Sequence, residues 1–557
     1  MAQIADTDLR ERCEKRLAGL KRARTPWEGT WRDIELFFQS RRSRWLSQAS
    51  APVDTLNTKI MNGTATRSAG VLANGMASGL SSPSRPWFRM TTQDPDLRDF
   101  EPVKDWLRMC QERVYELFAS TNFYNAIGSG YRQLGLFGVE AAIMTQHWRV
   151  GAVTIPLSIG EYWIGINETL DPDSLYRSSA MTVAQVVQKF GDKVSPTTRR
   201  LYDQSNYDAM VPVYHAIEPN PERIAGQIDK TNMLFRSIYW EEGSSRDLVL
   251  AFDGFEQQPF WANRWEVEGN NAYGTSPAMM SLGDAKGLQL KEIRLQQHED
   301  YINRPALVGP PQLQAAGANI TPGGLTFAAA MDMKAFQPVW QVTPQVQYFM
   351  QDINRLEQSI KEHFYVDLFM AISQMEGVQP RNDQEIAERV GEKMTQLGPV
   401  VERQNNEKLR RAVDIAFHIV LKTGQVPVPP PELHGQEIKL EFISVLAQMQ
   451  RAAGLSATER LFQFVETIAP TWQEAADNID PDEAIRTYAD DLGAEPKMIR
   501  TAQDVATIRA QRAQQAQAAQ AAASAQPALH AAQATQALSQ TDVGGGESAL
   551  QRMLSAA

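Results

Sequence analysis

The sequence predicts an α+β protein in which long helices flank one antiparallel, β-rich module. Over long stretches near both ends, apolar residues recur at helical spacing, whereas residues 139–265 contain short runs rich in β-branched and aromatic side chains. The chain has 557 residues, of which 43% are apolar and 22% are charged, so it can bury a large core. Its length corresponds to about three or four domains.

The N-terminal part is predicted to be mainly helical. Residues 5–40 are predicted to be helical, because apolar side chains recur at helical spacing and Pro26 resets this spacing before Trp31. A second helix is expected near Thr55–Leu80, followed by a turn-rich cluster and then by Trp87–Met90, which is typical of a strand. Residues 101–136 are predicted to be helical again, with one apolar face in the core.

The β-rich module consists of short predicted strands separated by Gly, Pro, Asn or Asp. They are Ala142–Val150, Val153–Ile159, Glu161–Ile166, Val211–Glu218, Leu234–Trp240 and Leu248–Phe252. A small helix is expected near Thr182–Phe190. Aromatic residues are frequent here, and ordinary core packing is favoured over a stacking platform for nucleotides because few basic residues are interleaved.

Two long helices are predicted in the middle of the chain. The first runs without interruption from about Pro277 to Asn303 and would span about 40 Å, and the second covers Val346–Met370. Between them lies a Pro- and Gly-rich segment of about 40 residues, which is too long for an ordinary hairpin loop. We therefore expect this segment to form a small structured module of its own.

The C-terminal part is predicted to return to helix. Residues 383–424 form a third long helical stretch, and Ile438–Phe442 alternates like an edge strand. Shorter helices are expected at Ser444–Ala453, Thr458–Ile468 and Asp482–Leu492. From Thr501 onward the composition is dominated by Ala and Gln, which is typical of a segment that is either helical when packed or disordered.

Charge and cysteine content narrow the classes of function. Lys and Arg number 55 against 66 Asp and Glu, for a net charge of −11, so the whole surface is not suited to coat nucleic acid. Contact with DNA through a local patch of the surface, or through the geometry of the protein, stays an alternative. The two cysteines, Cys13 and Cys110, lie far apart in sequence, which argues against a disulfide framework or zinc module and favours a reducing compartment. No apolar run is long enough for a membrane span, and the N-terminus lacks a secretory signal pattern, so we expect a cytosolic protein.

The sequence motifs of catalysis are incomplete in this chain. Gly70 and Gly75 have the spacing of a phosphate loop, but Met76 and the following alanine replace the Lys and Ser/Thr that this loop requires. The Gly128–Gly130 segment lacks the third glycine of a dinucleotide fingerprint. Histidines occur singly, and no GxSxG motif is present. We therefore predict no catalytic residue, metal ligand or cofactor, although a soluble enzyme with an unrecognised site and a non-channel scaffold or adaptor stay as alternatives.

Four ordered motifs resemble the head-to-tail connector (portal) proteins of short-tailed bacteriophages. The first is Leu72–Phe88, and the second is Leu134–Gly138. The third is Tyr273–Ala278, which opens a long helix ending at Arg304–Leu307. The fourth is Glu388–Met394 followed by Leu397–Val400. The resemblance covers roughly residues 25 to 505 and departs from the family pattern at Gly391 and at Val445–Gln448.

The resemblance implies a portal fold assembled as a cyclic ring, usually of twelve subunits. Its implied parts are a wing (1–272) with N-terminal helices and the β-rich module, stem helix 1 (273–303), a clip (304–343), stem helix 2 (344–370), a tunnel loop (371–382), a wing return helix and strand (383–443), a crown (444–500) and an Ala/Gln-rich tail (501–557) that is a barrel helix or disordered.

The resemblance also implies site residues, each with a plainer alternative. The tunnel-loop candidates that would face DNA are Gln379, Arg381 and Asn382, for which a plain surface loop is the alternative. In the stem, Leu288 would lie in a helix seam, while Lys291 and Arg294 would pair with Asp352 and Glu357 of a neighbouring subunit; pairing within the chain or solvation is the alternative. The clip is marked by Pro305, Pro310, Pro311 and Pro322.

The function implied by the resemblance is that of a DNA conduit at one vertex of a capsid. Such a ring nucleates procapsid assembly, serves in packaging and ejection of the genome, retains DNA and attaches the tail. Its expected partners are the terminase large subunit, the major capsid and scaffolding proteins, the tail adaptor, internal core or ejection proteins, and double-stranded DNA bound without sequence preference. The expected location is the virion, after assembly in the host cytoplasm.

Overall fold

A computed structural model describes most of the first 444 residues and parts of the remainder. The described residues are 6–40, 59–303 except 99, 225, 228 and 247, then 307–308, 337–338, 346–374, 396–444 except 434, and 446, 464–465, 467, 480–482, 484–485, 500, 502–541 and 548–555. The chain divides into two compact units, Met1–Thr458 and Glu459–Ala557. The mixture of helices and antiparallel sheets confirms the predicted α+β class.

The first helix is continuous through Pro26, which confirms the helix predicted over residues 5–40. Helix α1 spans Asp6–Phe38 with Pro26 inside it. Proline removes one backbone hydrogen bond, but the helix is held by packing on both sides of this position. Before Pro26, Leu9 and Leu17 are buried against the β-rich module, and after it Trp31, Ile34 and Phe38 lie fully buried in the main core.

Four further helices and a strand follow; all of them except the short helix α3 were predicted, with shifted bounds. Helix α2 covers Thr64–Leu80, strand β1 Phe88–Thr92 and the short helix α3 Pro95–Arg98. The single helix expected over 101–136 is divided into α4 (Glu101–Ser120) and α5 (Phe123–Phe137). At the junction, the Asn122 side chain accepts a hydrogen bond from the Thr154 amide at 2.9 Å and donates to the Thr154 carbonyl at 2.7 Å.

The β-rich module contains a three-stranded and a five-stranded antiparallel sheet. The strands are β2 (Val139–His147), β3 (Gly151–Leu157), β4 (Tyr162–Ile166), β5 (Pro172–Thr182), β6 (Met210–Pro219), β7 (Phe235–Glu241), β8 (Ala251–Phe255) and β9 (Phe260–Arg264). Their order is β3-β2-β9 in one sheet and β4-β5-β6-β7-β8 in the other. The small predicted helix is α6 (Val183–Phe190), which Thr182 and Gln185 cap reciprocally, and α7 (Pro196–Asp203) follows it.

Two strands of this module were not expected from the sequence. Strand β5 contains a polar Ser-rich segment, and its pairing with β4 and β6 makes it a central strand despite that composition. Strand β9 follows Pro259 and pairs with β2 over only five residues. Tertiary pairing outweighs local strand propensity in both places.

The two central helices are each interrupted, so the expected continuous bounds are wrong. The first consists of α8 (Pro277–Met280) and α9 (Leu282–Asn303), and Ser281 between them donates its side-chain hydroxyl to the Pro277 carbonyl at 2.9 Å. The second consists of α10 (Val346–His363) and α11 (Val366–Gln374). Tyr365 separates them with φ of 53°, in the left-handed region that L residues adopt at a cost.

The segment between the central helices lies almost entirely outside the described residues. Its described part is an antiparallel pair of two-residue strands, β10 (Leu307–Val308) and β11 (Gln337–Pro338). The remainder of 304–343, residues 375–395 and most of 445–500 are outside the described part of the chain. The predicted helices at 444–453, 458–468 and 482–492 therefore stay predictions for most of their length.

The chain next packs against the three-stranded sheet and strand β1. Residues 396–404 are helical, Asn405–Leu409 form a π-helical turn, and α12 covers Arg410–Lys422. Strand β12 (Ile438–Phe442) pairs antiparallel with β1, so that Phe88 lies opposite Phe442. Both strands were expected, and their pairing joins segments that are about 350 positions apart.

The second unit contains α13 (Ala502–Gln540) and α14 (Ala549–Leu554). Of the two states expected for the Ala/Gln-rich tail, α13 is helical. Arg509 in this helix pairs with Asp482 through two hydrogen bonds of 2.6 Å. None of the helices in the described parts of either unit is long and apolar enough to cross a membrane.

Candidate functional site

Helices α9 and α10 form an antiparallel pair, and this pair is the candidate functional site. Contacts join Asp284 to Ser359 and Lys291 to Asp352, so residue numbers rise along one helix as they fall along the other. The seam between the helices is apolar. Its buried side chains are Ala285, Leu288, Ile353, Leu356 and Ile360. Burial of these side chains supplies the main free energy that holds the helices together.

Polar groups at the edges of the seam are paired within the same chain. Ser359 donates a hydrogen bond of 2.6 Å to Asp284, and Lys291 forms an ion pair with Asp352. The hydrogen bond from Lys291 lowers the pKa of the Asp352 carboxyl. Because each group has a partner, the pair forms a self-contained unit.

The residues that precede α2 bind the same pair of helices. The Asn62 side-chain amide donates to both Glu292 and Glu357 at 2.8 Å, which links α9 to α10. Gln289 is 2% exposed, accepts hydrogen bonds from the amides of Met61 and Asn62, and donates to the Asn62 carbonyl. The start of α2 therefore fixes the position of the helix pair on the body of the subunit.

Helix α1 holds the pair from another direction. Lys286 forms an ion pair of 2.5 Å with Asp33, and its ammonium group lies 5.8 Å from the centre of the Phe37 ring. Phe38 packs against Phe364, with ring centres 5.8 Å apart. These contacts join the N-terminal helix to the junction of α10 and α11.

The structure places the stem residues expected from the sequence as follows. Leu288 is fully buried inside one chain, so a substitution there acts first on the packing of the helix pair. Lys291 and Asp352 pair with each other in the same chain, and Glu357 accepts a hydrogen bond from the Asn62 side chain. Arg294 is exposed. Roles of these residues between subunits stay predictions.

The tunnel-loop and clip candidates cannot be compared with the structure. The tunnel-loop residues Gln379, Arg381 and Asn382 lie outside the described residues, and so do the clip residues Pro305, Pro310, Pro311 and Pro322. Their assignments stay predictions based on the resemblance.

A row of uncharged amide side chains lies on the exposed side of α10, beside the exposed Tyr348, Met350 and Arg355, and sequence reasoning missed it. Gln347, Gln351, Asn354 and Gln358 are all exposed and follow each other at spacings of four, three and four residues. This spacing places them on one face of the helix. The repeated amides at helical spacing are a signal that the sequence alone contains. We call these four residues the amide face.

The π-helical turn fixes the returning helix to the three-stranded sheet. The Gln404 side chain donates to the Arg264 carbonyl at 2.9 Å, and Glu407 pairs with the Arg264 guanidinium at 2.7 Å. Lys408 forms a 2.5 Å ion pair with Glu140, and both side chains are almost completely buried. A π turn changes which side chains share a face, and here consecutive polar residues reach the sheet.

The buried ion pair lies against aromatic rings and a glycine. The Lys408 ammonium group is 3.6 Å from the centre of the Tyr131 ring, and the Trp261 indole donates to Glu140 at 3.4 Å. Burial lowers the pKa of Lys408, while the charge of Glu140 acts in the opposite direction. A Cβ atom at Gly130 would overlap with the Glu140 carboxylate, which explains this glycine by packing. A Glu within the apolar strand β2 was the only sequence signal for this pair.

Three of the four motifs from the sequence meet in the fold. A Cβ at Gly138 would overlap with the Gly274 carbonyl oxygen, and the Ser276 hydroxyl donates to the Leu136 carbonyl at 2.7 Å. Helix α2 packs closely on α5 and α11, since a Cβ at Gly75 would overlap with the Phe369 ring. These motifs are therefore packing positions that hold α2, α5 and the start of the first central helix together.

Among the described residues, no group of three or more His, Cys, Asp or Glu side chains is arranged to hold a metal ion. The contacts at the helix pair and at the π turn join elements of the fold to each other. This arrangement supports a structural role: it fixes the positions of the two helices and of the amide face on α10.

Comparisons with known proteins agree with this description. The family model described as "Bacteriophage head to tail connecting protein" matches residues 10–499. The portal protein of Salmonella phage epsilon15 is 36% identical over 511 residues, which cover 91% of this chain and 92% of that protein. The probable portal protein of Bordetella phage BPP-1 is 35% identical over the same shares. A neck structure of an empty GTA particle has a TM-score of 0.39 at 11% identity, covering 78% of this chain and 91% of that one.

These findings identify the class as a phage protein that joins the head to the tail. The chain belongs to the family of bacteriophage head to tail connecting proteins. The resemblance stated from the sequence motifs is thereby confirmed, and so is the portal function that it implied. The relatives are named as portal proteins, and neither name describes an enzyme.

Proposed function

We propose that copies of this chain form a closed ring around an axial channel for double-stranded DNA. The observation that carries the proposal is the α9–α10 pair, whose apolar seam and Lys291–Asp352 ion pair lie inside one subunit while the amide face stays exposed. A wall of repeated helix pairs that present exposed amide side chains suits a conduit. The names of the two portal relatives support the same function.

The remaining parts follow the predicted division of the chain. Residues 1–272 and 383–443 form the wing, 304–343 the clip, 371–382 the tunnel loop and 444–500 the crown. The antiparallel pairing of Leu307–Val308 with Gln337–Pro338 supports a structured clip, because it closes the ends of that segment. The α13 helix supports an ordered tail within 501–557.

The amide face explains how DNA passes without being held. Lys and Arg side chains bind phosphates by releasing counterions, which gives tight and salt-dependent binding. Neutral amides donate and accept hydrogen bonds without adding this term. Their exposed neighbour Arg355 lies 3.8 Å from the Asp352 carboxylate, and the chain as a whole is acidic, with a net charge of −11. Contacts along the channel are therefore weak and independent of sequence.

The proposed ring acts as a structural component and not as an enzyme. Its partners are the terminase large subunit, which supplies the energy of packaging, the major capsid and scaffolding proteins, the tail adaptor and the internal core or ejection proteins. Assembly takes place in the host cytoplasm, and the ring is then part of the virion at one vertex of the capsid.

Native mass spectrometry of the purified chain tests the ring. We expect one dominant closed oligomer, with about twelve copies by analogy with the family. A population of only monomers and dimers under assembly conditions would contradict the proposal.

A charge change on the amide face tests the conduit. In the variant Gln351→Lys/Asn354→Lys/Gln358→Lys, we expect intact rings that retain DNA more strongly, with a binding constant that falls steeply as salt is raised. The matched control is Gln227→Lys/Gln425→Lys/Gln436→Lys, which adds the same charge at exposed positions elsewhere. Equal DNA binding by both variants would show that the amide face does not contact DNA.

A further inference from the structure

The most exposed aromatic side chain of the described residues is at the tip of a hairpin. Trp148 lies between β2 and β3 and is 89% exposed, and Val150 beside it is 44% exposed. Tryptophan is highly buried on average and is enriched among residues that dominate the energy of protein interfaces. An exposed Trp at a projecting tip therefore indicates a contact that the single chain does not contain.

The hairpin presents this side chain in a defined position. His147 and Gly151 close the turn as the last paired residues of β2 and β3, and Gly151 has φ of 80°, which favours glycine. The Arg149 amide donates to His147 Nδ1 at 3.3 Å, and the His147 ring stacks on Trp148 with centres 6.0 Å apart. These contacts reduce the entropy that Trp148 would lose on binding.

A cavity elsewhere on the same chain is lined mainly by apolar and aromatic side chains, which suit contact with a tryptophan. It has a volume of about 460 Å³ and lies beside α6 and α7. Its lining residues are Ala184, Val187, Gln188, Tyr202 and Tyr207. The two tyrosine rings meet edge to face with centres 5.1 Å apart, an arrangement that leaves ring faces available for another aromatic side chain.

The charges beside the two surfaces are complementary. Arg149 next to the exposed tryptophan is itself exposed, and Asp203 and Asp208 are exposed next to the two cavity tyrosines. Opposite charges around an apolar contact favour its correct orientation and suppress other pairings.

We propose that Trp148 of one subunit inserts into the α6–α7 cavity of the neighbouring copy, with Arg149 facing Asp203 and Asp208 of that copy. Trp148 lies in the turn between β2 and β3, whereas the cavity is lined by α6, α7 and Tyr207, so the contact joins two different surfaces of the chain. In the proposed ring this contact is heterologous: each subunit gives its Trp148 to one neighbour and its cavity to the other. Repetition of such a contact closes a ring. This inference rests on the proposed function and names one contact of the proposed ring.

Disulfide trapping tests the geometry. Cys13 and Cys110 are both buried, so cysteines introduced at Arg149→Cys and Asp208→Cys are the accessible thiols. After oxidation of the assembled double variant, we expect a ladder of covalent oligomers up to the full ring on a denaturing gel. Each single variant should stay monomeric, which is the control for chance cross-links.

The cross-linked products, together with native mass spectrometry, distinguish the ways in which the inference and the proposed function can fail. A double variant that stops at covalent dimers would show an isologous contact and overturn the inference. Rings without cross-links would overturn the inference and leave the proposed function intact. Wild-type chain that forms no ring in native mass spectrometry would instead overturn the proposed function.

Side-chain truncation tests the energy of the contact. Trp148→Ser should weaken the association of subunits by about 30-fold or more, as expected for a buried aromatic anchor at an interface. Tyr207→Ala should have an effect in the same direction. The matched control is Val428→Ser, which changes another apolar side chain that is 85% exposed and should leave the association unchanged. Equal association of the Trp148 variant and the control would overturn the inference.

Discussion

Substitution of Lys408 by methionine tests whether the buried ion pair anchors the returning helix. Methionine keeps the length and apolar volume of the lysine side chain but removes the ammonium group. The change leaves the Glu140 carboxylate, which is 2% exposed, with the 3.4 Å hydrogen bond from the Trp261 indole. Removal of one partner from a buried pair costs about 3–5 kcal/mol, so we expect a loss of that size in the free energy of unfolding of the first unit.

A second substitution, at Glu140, tests whether the loss of stability comes from the unpaired carboxylate. In Lys408→Met/Glu140→Gln no charge remains in the site, and the Gln side chain keeps an acceptor for the Trp261 indole. We expect the double variant to recover most of the loss, because an uncharged buried site avoids the desolvation cost of a lone carboxylate. The difference between the single and double variants measures the coupling of the two residues.

Urea unfolding followed by tryptophan fluorescence measures these differences, at protein concentrations where the subunits are dissociated. Lys422→Met is the control, since Lys422 pairs with Glu256 at 2.8 Å while half exposed, and such surface pairs contribute about 0–1 kcal/mol. A Lys408→Met loss no larger than the control would refute the reasoning. A double variant as unstable as the single variant would refute it too.

Three further predictions concern the packing of α2, the seam of the helix pair and the predicted tunnel loop. Gly75→Ala should lower the unfolding free energy by about 1–3 kcal/mol because its Cβ would overlap with Phe369, whereas Gly70→Ala, with open space around it, should raise it by about 0.5–1 kcal/mol; thermal denaturation distinguishes them. Leu288→Asp should lower the melting temperature of the subunit and prevent ring formation, and rings of normal stability would contradict the buried seam. Deletion of residues 379–382 should leave rings intact but impair DNA retention, and unchanged genome content in assembled particles would remove the tunnel-loop assignment.

The local patterns of the sequence predicted most elements of the fold. The periodicity of apolar residues predicted α1, α2, α9 and α10, and the strand patterns predicted most of the two sheets. The predicted bounds of the two central helices failed at Ser281 and Tyr365, where the helical backbone is interrupted. Such changes depend on packing from other segments, which a periodic pattern does not contain.

The site was harder to predict because it depends on contacts between distant segments. The buried pair of Glu140 with Lys408 and the bridge from Asn62 to Glu292 and Glu357 join residues more than 200 positions apart. The three motifs that meet in the fold, by contrast, consist largely of close-packed glycines and a helix cap at Ser276. They could be recognised from the sequence because their backbone requirements restrict the residue type.

A three-dimensional reconstruction of the assembled particle by electron cryomicroscopy tests the central claim most directly. The account predicts rotationally symmetric rings with an open axial passage, in which α9 and α10 of every subunit stand next to the passage and Gln351 and Gln358 point into it. Particles with density on the axis, or subunits whose helix pairs lie on the outer rim, would contradict the account.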